Sequence, residues 1–226
     1  KILKKNKNEK NFKIFFLIIT YKIKIRFNLP KKKELVIFDN TSFHDLENIL
    51  KKRDYFVLKV RINQIDEIFL NVQIIKNIFC NLQIYKLKNI KTKNILWSSY
   101  LISLISLLKP KLVISHIDNS RKFSEISKIL NENIKFMTIQ NAARYDLIIE
   151  KENSNKFDEL YIQNYCCFGD YEIELYKSLN IRVNNFTKIG SIRKSNFFDY
   201  VKRKKILLDK NLYSIGILLE APLAIP

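Results

Sequence analysis

Lys111-Leu112-Val113-Ile114-Ser115-His116-Ile117-Asp118-Asn119 opens the stretch that decides the fold, and Ile134-Lys135-Phe136-Met137-Thr138-Ile139-Gln140-Asn141 closes it. Each is a short β-branched run that stops on an acid or amide followed by asparagine. Lys122 to Asn131 between them reads as a helix, so the segment is a β-α-β unit with two buried parallel strands. A third run of the same kind, Glu34-Leu35-Val36-Ile37-Phe38, ends at Asp39-Asn40. In open α/β sheets the ligand crevice lies just outside the carboxyl ends of such strands. The repeated polar dipeptides therefore mark the edge where function is expected.

Working outward, Thr41 and Ser42 are placed to cap a helix from Phe43 to Lys52, and Tyr55 to Val60 reads as a second strand. Ile65 to Phe79 and Ile95 to Leu108 read as helices, the latter stopped by Lys109-Pro110. Further on, Leu160-Tyr161-Ile162 and Tyr165 to Phe168 suit two short strands. Gly169 marks a turn, and Asp170 suits the cap of a helix from Tyr171 to Leu179. Phe186 to Ile189 then leads into Gly190-Ser191-Ile192-Arg193 and a helix from Asn196 to Lys204.

The expected architecture is α/β: a Rossmann-like open parallel sheet flanked by helices over residues 34–200. Residues 1–33 form a basic lead, with Phe12 to Phe27 as a helix or strand on the domain edge. Residues 201–226 read as a linker and the first strand, Tyr213 to Leu219, of a truncated second domain. The run Lys202-Arg203-Lys204-Lys205 is the candidate boundary.

The chain has 226 residues, 47% of them hydrophobic, enough for one full core. Cys80, Cys166 and Cys167 have no metal-ligand spacing, and the adjacent pair would point to opposite faces of a strand. Such a sparse, odd set fits a reducing compartment, so a cytoplasmic location is expected. The net charge of +19 invites a nucleic-acid reading, but only eight of the 41 basic side chains are arginine. The abundance of Lys, Ile, Asn and Phe looks like the bias of an AT-rich genome, and no nucleic-acid partner is expected; a non-enzymatic basic module that binds polyanions is the alternative to an enzyme. Peripheral contact with the anionic inner face of the cytoplasmic membrane remains open to a basic surface. Ile95 to Leu108 is too short, and too rich in serine, to span a bilayer.

Each candidate site residue has a bland reading beside the functional one. Asp39 and Asp118 could present carboxylates over the sheet edge or serve as local caps. His44, just after the first strand, could act as a base facing the crevice, whereas His116 sits in a strand and reads as a buried, hydrogen-bonded side chain. Gln140, Asn141 and Arg144, with Asn119 on the neighbouring loop, combine amides that read hydroxyls with a guanidinium that forks onto phosphate or carboxylate oxygens. The alternative is a polar loop with Arg144 in a structural ion pair. Gly190, Ser191 and Arg193 join a strand to a helix, where the backbone could approach an anion or simply turn. No metal-ligand cluster, nucleophile triad or glycine-rich phosphate loop occurs.

Phe38-Asp39, Ile117-Asp118-Asn119, Ile139-Gln140-Asn141 with Arg144, Cys167-Phe168-Gly169-Asp170-Tyr171-Glu172, and Ile189-Gly190-Ser191 with Arg193 occur in an order that resembles bacterial surface carbohydrate biosynthesis proteins. Those proteins look like two-domain GT-B glycosyltransferases. More distantly the series is similar to teichoic-acid glycerophosphotransferases and sugar-nucleotide 2-epimerases. The resemblance covers roughly residues 33–200 and implies a cytoplasmic transferase using a nucleotide-activated sugar donor and an envelope glycan acceptor, as in capsule or lipopolysaccharide synthesis. It also implies that this amino-terminal domain holds the acceptor and that most of the donor site lies on a second domain, so the chain by itself is expected to be inactive. His44, Asp39 and Asp118 are the base candidates, in no fixed order. One departure stands out: Ala142 occupies a position where the family has glycine, and a positive φ there would strain the loop.

Overall fold

The computed structural model describes residues 23–204 apart from 42, 62–63, 88–93 and 144–159. The main sheet has six strands: β2 (Leu35–Phe38), β3 (Tyr55–Leu58), β5 (Leu112–Ser115), β6 (Lys135–Ile139), β7 (Tyr161–Cys167) and β8 (Arg182–Lys188). They run in the order β3-β2-β5-β6-β7-β8, and every pairing is parallel. A separate parallel pair joins β1 (Lys24–Arg26) to β4 (Glu67–Phe69). The described helices are α1 (His44–Leu50), α2 (Val72–Leu87), α3 (Ile95–Leu108), α4 (Arg121–Leu130), α5 (Asp170–Ser178) and α6 (Ile192–Arg203).

Side-chain alternation along the strands makes a sheet with two covered faces. Leu35, Ile37, Ile114, Ile139 and Cys166 point toward α1 and α6, where Leu46, Leu50 and Ile192 meet them. Val36, Phe38, Val113 and Phe136 point the other way, against Leu101, Ile105 and Leu108 of α3 and Phe123 and Ile126 of α4. Full burial of a side chain such as Leu101 contributes about 1.5–3 kcal/mol. Tyr165 and Cys167 extend this second layer under Leu175 and Tyr176 of α5. Cys166 and Cys167 thus lie on opposite faces, as their adjacency in a strand requires.

Helix α3 is buried along most of its length because α2 packs over it. The seam between α2, α3 and α4 also carries polar contacts. The Tyr85 hydroxyl donates to Glu125, and Lys122 Nζ donates to Ser98 Oγ at 2.8 Å. Burial lowers the Lys122 ammonium below its ordinary pKa. No described helix is long and apolar enough to cross a membrane.

Several local expectations need correction. Ile65 to Phe79 is not one helix: Glu67–Phe69 is a strand, and α2 begins only at Val72. The Asn71 side chain accepts from the Ile74 N–H at 2.8 Å, a capping bond that sets the helix start there. Phe43, the N-cap of α1, makes no side-chain capping bond, and the Thr41 N–H donates to Asp39 Oδ1 at 2.9 Å; Ser42 lies outside the described residues. The two short strands expected between Leu160 and Phe168 form the single strand β7. Asp170 is the first residue of α5 rather than its cap, which is Gly169. Helix α6 starts at Ile192, four residues before the expected Asn196, because Ser191 caps it. Ala142 is not among the left-handed residues, so alanine strains nothing there. The helix or strand read from Phe12 to Phe27 lies mostly, and the strand read from Tyr213 to Leu219 lies wholly, outside the described residues.

Candidate functional site at the carboxyl edge of the sheet

Six parallel strands put all their carboxyl ends on one edge. The chain steps from β2 outward to β3, then crosses back to β5 on the other side of β2. The topological switch point therefore lies between β2 and β5, where α/β sheets open a crevice. Asp39 follows β2, Asp118 and Asn119 follow β5, Gln140 and Asn141 follow β6, and Gly190, Ser191 and Arg193 follow β8. They share that edge, but the two faces of the sheet treat them differently.

On the face covered by α1 and α6, a carboxylate that sequence reasoning passed over becomes the centre. Asp45, buried in the first turn of α1, accepts from Arg193 Nε at 2.7 Å through Oδ2. His44 Nε2 lies 3.2 Å from its Oδ1, and His116 Nδ1 lies 3.6 Å from its Oδ2. Asn196 Nδ2 donates to the Asp45 carbonyl at 2.8 Å and further ties α6 to α1. The His44 side chain is 74% exposed, whereas His116 is buried. This arrangement links a buried carboxylate to a histidine that meets solvent. An acid beside a histidine, in the first turn of the helix after the first strand, was the available sequence signal.

On the other face Asp118 is enclosed. It accepts from the Tyr165 hydroxyl at 3.1 Å and from the Tyr176 hydroxyl at 2.9 Å, with the two rings 4.6 Å apart. Burial, and then the Asp118 charge, push the Tyr165 phenol well above the usual tyrosine range. This geometry suits an anchor between β5, β7 and α5 better than a base that meets substrate.

Asp39 forms a third node with Arg61, also missed from the sequence. Its backbone is left-handed at φ 75°, a conformation that aspartate tolerates better than most residues. Asp39 Oδ2 accepts from Arg61 Nε at 2.9 Å, and Gln64 Nε2 donates to Thr41 Oγ1 at 3.4 Å. Among the described residues, Asn40 Oδ1 and Gln64 Oε1 in this loop cluster are buried acceptors without a hydrogen-bond partner. Buried acceptors left unpaired are costly and single out the places that a ligand or solvent must serve.

The remaining candidates divide. Gln140 is buried: its Oε1 accepts from the Phe168 N–H at 2.9 Å and its Nε2 donates to the Ala142 carbonyl at 3.0 Å, stitching the end of β6 to that of β7. Asn141 is half-buried and Asn119 exposed at the same edge. Ser191 Oγ accepts from the Lys194 N–H at 3.3 Å and so caps α6. Gly190 has φ 70°, and a Cβ there would meet nothing within 4 Å, so its turn rather than a close approach requires glycine. Arg144 lies outside the described residues. A cavity of about 30 Å³ lies beside β3 and β4, lined among others by Phe56, Phe69, Trp97, Tyr100, Asp66 and Glu67.

Fold and edge together define a doubly wound α/β domain with a polar, titratable cluster at its switch point. No family model, curated protein or solved structure matches the chain.

Proposed function

We propose that this chain is the acceptor-side domain of a GT-B-like glycosyltransferase of surface carbohydrate synthesis. It would transfer a sugar from a nucleotide-activated donor to an envelope glycan acceptor. The observation that carries the reading is the exposed His44 backed at 3.2 Å by buried Asp45, at the switch point of a parallel sheet. Asp45 holds the Nε2–H of the imidazole, leaving Nδ1 to take a proton from an acceptor hydroxyl. The freed oxygen attacks the anomeric carbon, the bond from that carbon to the donor phosphate breaks, and the nucleotide leaves with the electron pair. Asp45 then offsets the positive charge that forms on the imidazole, and Arg193 keeps that carboxylate in place. Unpaired acceptors at Asn40 and Gln64 favour a hydroxyl-rich ligand, because each can take a sugar O–H.

The nucleotide-sugar donor and the glycan acceptor belong to this same proposal. Product analysis on the complete reading frame tests it. Radiolabelled sugar should move from donor to glycan, and His44→Ala should slow that transfer by about 10²–10⁴. Release of free 2-epimerised sugar, or a His44→Ala variant as fast as wild type, contradicts it.

A further inference from the structure

We propose that α6 docks the protein onto an anionic lipid surface, through an aromatic and basic face that the described residues leave uncovered. The helix packs on α1 through Ile192 and Asn196, and Asn48 donates to Asn196 Oδ1 at 3.3 Å. At 3.6 residues per turn, Lys194, Phe197, Phe198 and Val201 fall on the side opposite Ile192. Phe197 is 61% exposed, Phe198 46% and Tyr200 51%. A helix of a globular domain ordinarily turns such side chains inward. Here Ile192 is the buried residue of the helix, Asn196 and Val201 are half-buried, and the rings face out.

Charge selects the partner. Lys194, Lys202 and Lys204 flank the rings, against a single acid on the helix, Asp199. Lys194 Nζ stands 5.9 Å over the Phe198 ring, and the rings of Phe197 and Phe198 meet edge to face at 6.0 Å. A second copy of this face would bring like charges together. An anionic bilayer answers both features: headgroups take the cations, and the phenylalanine wedge enters the acyl boundary. Because Arg193 and Asn196 pin the first turns of α6 to Asp45, the docked face sits on a rigid support. This inference does not depend on the transferase reading.

The test is co-sedimentation of the 226-residue chain with vesicles of phosphatidylcholine alone and of an equal mixture with phosphatidylglycerol. The expected result is binding to the anionic vesicles at least about tenfold stronger than to the neutral ones, weakening with added salt. Phe197→Ser with Phe198→Ser should remove about tenfold or more of that affinity, and Lys194→Glu with Lys202→Glu a similar amount, with thermal stability unchanged in both. Absence of vesicle binding, equal binding to neutral vesicles, or an aromatic variant that binds like wild type would overturn the proposal. So would tighter binding to a single-stranded oligonucleotide than to the anionic vesicles. Either pair alone decides the matter if the other fails to fold.

Discussion

Two buried carboxylates stand at the same edge of the same sheet, and they lead to opposite outcomes. Asp118 ends in the interior, with the Tyr165 and Tyr176 hydroxyls closing over it. Asp45 is buried to a similar degree, and besides buried His116 its partners include Arg193 and His44, both of which reach solvent. Burial and charge are nearly equal in the two cases, so neither distinguishes an anchor from a working group. What distinguishes them is whether the partner carries the effect outward. A tyrosine pinned inside a layer can only stabilise that layer, whereas a histidine at the rim can exchange a proton with a ligand.

Removing the enclosed acid sharpens the contrast most. Asp118→Ala leaves two buried phenol O–H groups without their charged acceptor and is expected to cost about 3 kcal/mol or more in urea denaturation. A variant of wild-type stability would break the comparison, since Asp118 would then not be an anchor. The tyrosines provide a second test through pH. Burial pushes the Tyr100 hydroxyl up to about 12 and raises Tyr165 further. Because these folded values lie above the ordinary 10.0, their contribution is complete below pH 10 and is lost as pH rises toward 12. Stability should fall across that interval, and Tyr100→Phe and Tyr165→Phe should each flatten the fall. A decline in stability that neither variant changes would show that these hydroxyls are not closed in the layer.

Asp45→Asn should cost less, about 1–2 kcal/mol, because the ion pair it weakens is half-exposed on the Arg193 side. Its larger effect should fall on transfer, which a merely structural residue would leave in proportion to folded protein. Smallest is Gly190→Ala, about 1 kcal/mol. The left-handed turn strains alanine, but open space around the Cβ adds no clash. A loss several times larger would mean that this turn packs closely against something in solution.

The layers of the fold were legible because strand runs such as Leu112 to Ser115 are uniformly apolar and helix runs such as Ile95 to Leu108 are long. Glu67–Phe69 was not legible: three residues with one acid carry no strand signature, and only the parallel pairing with Lys24–Arg26 makes them one. At the candidate site, the positions of Asp39, His44 and Arg193 beside strand ends were legible, but the pairing of Arg193 with Asp45 was not. Asp45 and Arg61 were missed because their roles arise from long-range meetings, α6 with α1 and the end of β3 with that of β2. Gln140 was legible as a polar residue at the edge, but its two hydrogen bonds into the chain became visible only once β6 and β7 were paired.

The link on which the proposed chemistry depends is the hold of Asp45 on His44, and the ¹⁵N chemical shifts of the His44 imidazole test it most directly. The predicted result is a ring protonated at Nε2 with Nδ1 bare, and loss of that preference in Asp45→Asn. A ring protonated at Nδ1, or a tautomer mixture indifferent to Asp45→Asn, would contradict it.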